Sequence, residues 1–444
     1  MAMGTRKQVQ IPLFLTVDDL PEAPTTPFFE KLSEVLDQAG FDDFVERVCS
    51  RFYDQALGRP SLPPGVYFRM LLLGYLMGFE SERRIALQAA DSLSLRQFLG
   101  YGLHEATPDH STLSKTRKRL ALEAHEEVFG WVLGRLREAG LTQGGEVAVD
   151  ATTLEANAAL KGLVRKATGE AYREFVLGLA EAAGECIESE GDLIRFDRQR
   201  KGKSLSNEEW ESPVDADARV AKMKDGTTHL AYKAEHAVDL ESGALVGVTV
   251  QRADGGDTQT LPQTLAAVEE ACGETPETVV LDKGYHSDET LERLEAAGAD
   301  SYVAVPEGPE RNWKGKQEER RRYAENEERA GSERGKQLSK LRTEKAERSM
   351  AHMYETGGMR RLWLRGLDNV SKRVLIHACG HNLGVLMREL TGTGTPRSLQ
   401  GQGRRLRLAL FAALRVAISR LLGRFPGIAR RWGHDLTEIP AERP

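Results

Sequence analysis

Gly144-Gly145-Glu146-Val147-Ala148-Val149-Asp150-Ala151-Thr152-Thr153-Leu154-Glu155 reads as a short apolar run of strand length that ends in an aspartate and continues in small and hydroxyl residues. A carboxylate at the end of a buried strand must be solvated by a cleft, a metal or a hydrogen-bond network, because an unpaired buried charge is costly. Glu277-Thr278-Val279-Val280-Leu281-Asp282-Lys283-Gly284-Tyr285 repeats the pattern. Two apolar strands that both end in Asp can place two carboxylates at one end of a sheet.

Upstream of the first strand the periodicity is helical. Phe28, Phe29, Leu32, Val35 and Leu36 recur at helical spacing, and a second helix starts near Asp42. Val66 to Met77 is too long and too apolar for most strands and reads as a buried helix. Thr107-Pro108-Asp109-His110-Ser111-Thr112-Leu113 is a turn that opens a helix carrying Lys115, Arg117, Lys118 and Arg119. Short helices ending in a basic one resemble a helix-turn-helix module, and a plain helical bundle fits the spacing as well. Residues 1–24 read as an arm and 25–141 as a helical, DNA-binding domain.

Downstream, Ala156 to Glu188 is rich in Ala, Glu and Leu and predicts a helix pair; Gly191 to Ser212 predicts a polar loop. Thr228 to Asp239 and Ala244 to Gln251 predict two strands joined at Glu241-Ser242-Gly243. A helix over Thr260–Cys272, the second Asp strand, a helix from Asp288 and a strand at Ser301–Val305 follow. Trp313 to Arg334 is dense in mixed charge and predicts an exposed helix or loop. Leu338–Tyr354 and Val374–Leu390 predict helices separated at Gly357-Gly358. Together these give an α/β core with a mixed sheet over 142–390, with insertions at 156–227 and 307–337 and a basic helical tail at 391–444.

The 444 residues are 40% hydrophobic and 29% charged, as in globular chains rather than disordered ones. No apolar run reaches the ~18–20 residues of a membrane span, and no leader sequence is recognisable, so a cytoplasmic, nucleoid-associated location is expected. Cys49, Cys186, Cys272 and Cys379 are scattered without CxxC pairing, which argues against a zinc finger or disulfide frame. The net charge of −6 is unevenly spread: from Arg311 to Pro444 there are 29 Lys and Arg against 14 Asp and Glu. That third suits a polyanion. It suits equally well a face of the acidic remainder, or of another subunit.

Carboxylates gathered from separate elements can hold two divalent ions. Hard cations such as Mg²⁺ take oxygen ligands, and two ions about 4 Å apart stabilise both the attacking and the leaving oxygen of an in-line phosphoryl displacement. The plain alternatives are an Asp that caps the turn after its strand and a Glu that is merely solvated on a charged helix.

Ordered fragments along the chain sharpen the choice. They run from Ser81-Glu82-Arg83 through Asp91 to Gly100 and Thr107 to Leu113. They continue with Val149-Asp150-Ala151-Thr152-Thr153, Asp217-Ala218-Arg219, Tyr232-Lys233, Asp282-Lys283-Gly284-Tyr285 and Glu347-Arg348-Ser349. They end at Glu355 to Arg361 and His381-Asn382-Leu383. With these the chain resembles a bacterial insertion-sequence transposase of the DDE type, whose catalytic core has the ribonuclease H-like fold. The resemblance implies that Asp150, Asp282 and one later Glu hold two Mg²⁺ ions, for which Mn²⁺ can substitute. It implies cleavage of one strand at each end of a mobile element, then attack of the freed 3′-hydroxyl on target DNA. The expected partners are DNA, as terminal inverted repeats and target, and a second copy of the chain when bound to DNA.

The third acid is a choice. Many relatives carry Tyr, two residues, Arg, three, Glu, six, Lys; counted from Glu347 those places hold Lys340, Thr343 and Tyr354, with Arg342 one residue off. Glu347 is preferred because it lies mid-helix, and Glu355 is the alternative. Tyr285, Arg348, Arg360 and Arg361 join Lys115, Arg117 and Lys118 as expected DNA contacts. His236 and Asp239 fit either supporting groups for the metal site or the polarity of an edge strand. His381-Asn382, inside an apolar helix, reads as a satisfied buried pair. A DNA-binding copy without catalysis, or a nuclease on the same fold, would keep much of this sequence.

Overall fold

The computed structural model describes residues 26–396, except 55–60, 143, 202–204, 224–225 and 309–311. The expected N-terminal arm and nearly all of the basic tail lie outside the described residues.

Seven helices come first: α1 (Thr26–Gln38), α2 (Phe41–Cys49), α3 (Pro64–Met77), α4 (Glu82–Asp91), α5 (Leu93–Phe98), α6 (His110–Arg119) and α7 (Leu122–Glu138). Their ends are written in the sequence. Pro64 opens α3 where no N–H is needed, and Gly78 closes it at φ 67°, a conformation that favours glycine. The side chains of Ser81 and Asp109 accept from the backbone N–H of Arg84 and Thr112 and so cap α4 and α6. α3 is buried nearly all round, as its unbroken apolar run requires.

The core then runs β1 (Glu146–Glu155), β2 (Val164–Arg165), α8 (Tyr172–Ala182), α9 (Glu190–Gln199), β3 (Trp210–Glu211), β4 (Arg219–Lys222), β5 (Thr228–Asp239) and β6 (Leu245–Arg252). After these come α10 (Asp257–Cys272), β7 (Thr278–Leu281), α11 (Asp288–Ala296), β8 (Asp300–Val303), α12 (Gln317–Gly331), α13 (Glu333–Ala351) and α14 (Leu367–Thr391). A π-helical turn, His352–Thr356, ends α13.

In the main sheet β1 is central. It pairs antiparallel with β5 and parallel with β7, and β7 pairs parallel with β8. β6 and β4 share the far edge of β5. This mixed sheet, with β1, β5 and β6 antiparallel and β7 and β8 added parallel to β1, is the ribonuclease H-like arrangement expected from the sequence. One face is covered by α13, over Ala148, Leu240, Val280 and Tyr302. The other carries α10 and α14, and α14 packs in turn on α7 and α3, so the helical region and the sheet share one core.

Two of the outer strands, β6 and β8, are each capped at one residue by an asparagine. Asn382 on α14 accepts from Leu245 N–H and donates to Leu245 C=O, each at 2.8 Å. Asn326 on α12 does the same for Val303 at 2.9 Å. Both amides are fully buried. Each acts as the next strand would, which satisfies peptide groups that burial would otherwise leave unpaired.

Four expectations change. β1 continues past Asp150 to Glu155, held by its pairing with β5, so Asp150 lies in mid-strand and not at a strand end. Residues 156–171 are irregular with the short β2, and only α8 forms from the expected helix pair. The stretch read as a loop contains α9, nucleated by a reciprocal cap between Ser189 and Asp192. β5 is interior, flanked by β1 on one side and β6 and β4 on the other, so edge polarity explains neither His236 nor Asp239. Asp239 instead ties the β5–β6 turn, accepting from Glu241 N–H, Ser242 N–H and Ser242 Oγ, and from Thr142 Oγ1 on its other oxygen.

Candidate active site

The site follows from strand register. Ala148 on β1 lies beside Val280 on the parallel strand β7. Two residues further along each strand, on the same face because side chains alternate, stand Asp150 and Asp282. Adjacent strands run about 4.8 Å apart, so continuing this register by two residues would bring the two carboxylates near each other. β7 ends at Leu281, and Asp282 caps the turn after it by accepting from Gly284 N–H at 2.8 Å. Asp150 accepts from Ala151 N–H at 2.8 Å and faces α13. There Arg342 Nη1 stands 3.5 Å from Asp150 Oδ2.

Helix α13 presents Arg342, Ala346, Ser349 and Met350 to the sheet, and Ser349 Oγ is 3.0 Å from His236 Nδ1. His236 is buried, and desolvation together with nearby His381 lowers its pKa to about 3, so it is neutral. Lys345 leans toward the β5–β6 turn, donating to Glu241 C=O at 3.3 Å. Glu347 lies about 200° further round the helix. It is about 140° from Arg342, so it lies off the sheet-facing stripe of α13, and it is exposed. Glu355 sits in the π-helical turn, 67% exposed and ion-paired with Arg360.

A buried network supports the turn from the other face of the sheet. Glu235 on β5 is fully buried and accepts from Thr260 Oγ1 and Thr264 Oγ1, each at 2.5 Å, and from Tyr285 OH at 3.1 Å. Lys233 Nζ lies 3.3 Å from Glu235 and 2.6 Å from Asp257, the first residue of α10. A Cβ at Gly284 would collide with Asp257 Oδ2 and lie 3.1 Å from Asp282 Oδ1, so Gly284 lets these two carboxylates approach. Burial and the charges of Glu235, Asp257 and Asp150 push the Tyr285 phenol pKa far up, so it stays protonated and donates. The sequence holds no periodic signal for this network, although Tyr232-Lys233 and Asp282-Lys283-Gly284-Tyr285 are among the fragments that carry the resemblance.

The expected DNA contacts separate into exposed and committed groups. Lys115 and Lys118 are exposed on α6, and Arg348 is exposed on α13. Arg360 and Arg361 are exposed but paired, with Glu355 and Glu155. Arg117 differs from expectation: it is buried, ion-paired with Glu82, and donates to Asn369 Oδ1 at 3.2 Å. Tyr285, 1% exposed, is likewise part of the interior. His381 and Asn382 are a satisfied pair, His381 Nε2 standing 3.0 Å from Gly243 C=O.

The donor set fits a hard divalent cation, since Asp150 and Asp282 supply carboxylate oxygens and Arg342 shows that positive charge is accepted beside Asp150. Among the described residues no three His, Cys, Asp or Glu side chains converge as a ready ligand set. No described helix is long and apolar enough to cross a membrane.

Residues 18–119 match the family model described as a transposase domain (DUF772), and residues 143–383 match that of the transposase DDE domain. No curated protein matches the chain. The second match spans the sheet with Asp150, inside β1, and Asp282, just after β7, and covers more than half of the sequence: the chain belongs to the DDE transposase family.

Proposed function

We propose that the chain cuts the ends of a mobile DNA element and joins them to target DNA, with Asp150, Asp282 and Glu347 as its catalytic carboxylates. The observation that supports this reading is the β1–β7 register, in which Ala148 lies beside Val280, two residues before Asp150 and Asp282. Water attacks a phosphodiester at each end, the P–O3′ bond breaks, and a 3′-hydroxyl is released. That hydroxyl then attacks a target phosphodiester and displaces its 3′-oxygen. Neither step forms a bond to the protein, so no Ser, Cys or Tyr nucleophile is needed.

Asp150 and Asp282 would hold divalent cations, Mg²⁺ with Mn²⁺ as a substitute, which when bound neutralise charge on the reacting phosphate. Glu347 completes the set by turning in from its flank of α13. Asp282 is fixed by its cap on Gly284 and by the packed Tyr285 behind it. Arg342 balances the charge of Asp150 while no cation is bound. Lys115, Lys118 and Arg348 supply exposed positive charge for phosphates, and a dimer holding two ends is the expected working form.

The test is cleavage and joining of DNA carrying the element's ends, with D150N, D282N and E347Q compared with wild type at equal DNA occupancy. Loss of both steps in D150N and D282N supports the assignment. Wild-type rates in either would refute it. Full activity in E347Q with loss in E355Q would move the third acid to Glu355.

A further inference from the structure

A groove of about 950 Å³ opens on the side of the molecule where α7, α10, β6 and α14 meet. Its floor is apolar, with Phe129, Val248, Val250 and Leu375 among its lining residues. Its rim is acidic. Glu127 is paired with Arg51, but Glu123, Glu126 and Glu270 have no ion-pair partner among the described residues. Burial first, then the charges of Glu270 and Glu123, raise the Glu126 pKa above that of an ordinary carboxyl group. The rim thus carries repulsion that a cation on the groove would relieve.

The same chain carries a matching segment. Between Leu390 and His434 there are nine arginines and no acidic residue. Leu406, Leu410, Leu414, Ile418 and Leu422 recur at every fourth position among those arginines, the spacing of one helix face. A helix about 10 Å across, sunk to half its width, displaces about 60 Å³ per residue, so the groove takes on the order of four turns. Reach is sufficient. From Thr391 back to Leu375, which lines the groove, is about 24 Å along α14. Residues 397–403, extended, span about 24 Å.

We propose that residues 404–422 of the same chain dock in this groove, apolar side chains on its floor and arginines against Glu123, Glu126 and Glu270. The docked segment is then unavailable to DNA phosphates, and the acidic face that would repel DNA is covered.

The test uses the full chain without DNA. Hydrogen exchange is followed in peptides covering 122–130 and 263–271, and tryptic cleavage is followed after the arginines of 404–424. Wild type is compared with E123Q/E126Q/E270Q and with R404Q/R405Q/R407Q/R415Q, each checked for an unchanged Tm. The expected result is at least about tenfold faster cleavage of the segment in the rim variant. In the arginine variant the groove peptides exchange faster. Wild-type cleavage of the segment in the rim variant, together with wild-type exchange of the groove peptides in both variants, would overturn the proposal. So would protection that fades on dilution, which would make a second copy the donor, or protection that arises only when DNA is added. None of these readouts depends on the carboxylate site, so docking and catalysis can fail separately.

Discussion

Removing the positive charge of Arg342 should tighten divalent-cation binding by the protein alone. The guanidinium stands 3.5 Å from Asp150, and the two side chains are 15% and 21% exposed. At that distance two unit charges attract by about 5 kcal/mol at an effective dielectric of ~20 and by about 1 kcal/mol in water. Partial exposure and a contact at the long end of hydrogen-bonding range put the net interaction near the lower figure, about 1–2 kcal/mol. A cation binding at Asp150 must displace that interaction. With 1.4 kcal/mol per factor of ten, R342Q should bind Mn²⁺ about 5–30-fold more tightly than wild type, and R342K should stay close to wild type. Titration of DNA-free protein followed by the paramagnetic signal of free Mn²⁺ measures this, with D150N as the control that loses binding. Unchanged or weaker binding by R342Q would refute the role of Arg342 as the stand-in counter-ion.

Gly284→Ala should slow DNA cleavage by about 10–100-fold, the scale of a misplacement near 1 Å, while shifting Tm by only a few degrees. The new Cβ meets Asp257 and Asp282, and Asp257 is held by Lys233; a rate equal to wild type would show that the turn absorbs it. Asn382→Leu strands Leu245 N–H and C=O in the interior and should cost about 2–5 kcal/mol in chemical denaturation, whereas a cost under 1 kcal/mol would mean that another group bonds them. His125 is buried in α7 between Tyr67 OH and Ala121 C=O, and desolvation lowers its pKa to about 3. The unfolded chain binds that proton from about pH 6.5, so this contribution is complete above 6.5 and falls by about 1.4 kcal/mol per pH unit from 6.5 toward 3. Denaturation from pH 7.5 to 4.5 should show a shallower fall in H125Q than in wild type.

What could be read from the sequence is what burial writes into it. Val147 to Val149, Val279 to Leu281 and the run from Val66 to Met77 are apolar because they are interior, and two Asp after such strands stand out against that background. The helix α9 was hidden because Gly191 and a polar composition suggest a loop, while the cap that starts it is a single Ser–Asp pair. Arg117 looked like its neighbours Lys115 and Lys118, and only the fold shows that Thr116 and Arg117 face inward. Arg342 is one residue out of step with the expected signature, yet it is the arginine that meets Asp150, since a helix face tolerates such a shift when a long side chain reaches across. Which of Glu347 and Glu355 can approach the sheet depends on how α13 and the turn after it pack, a tertiary property that spacing does not encode.

The asparagines that finish the sheet at Leu245 and Val303 bear on how two ends of an element could be held at once. A sheet with bare flanks can recruit a neighbour by adding strand to strand. Here a side-chain amide from α14 occupies one flank and one from α12 the other. Two copies brought together as proposed would therefore not add a strand at Leu245 or Val303. The strands carrying Asp150 and Asp282 would keep their register, and the distance between two reaction centres would be set by adjustable outer surfaces.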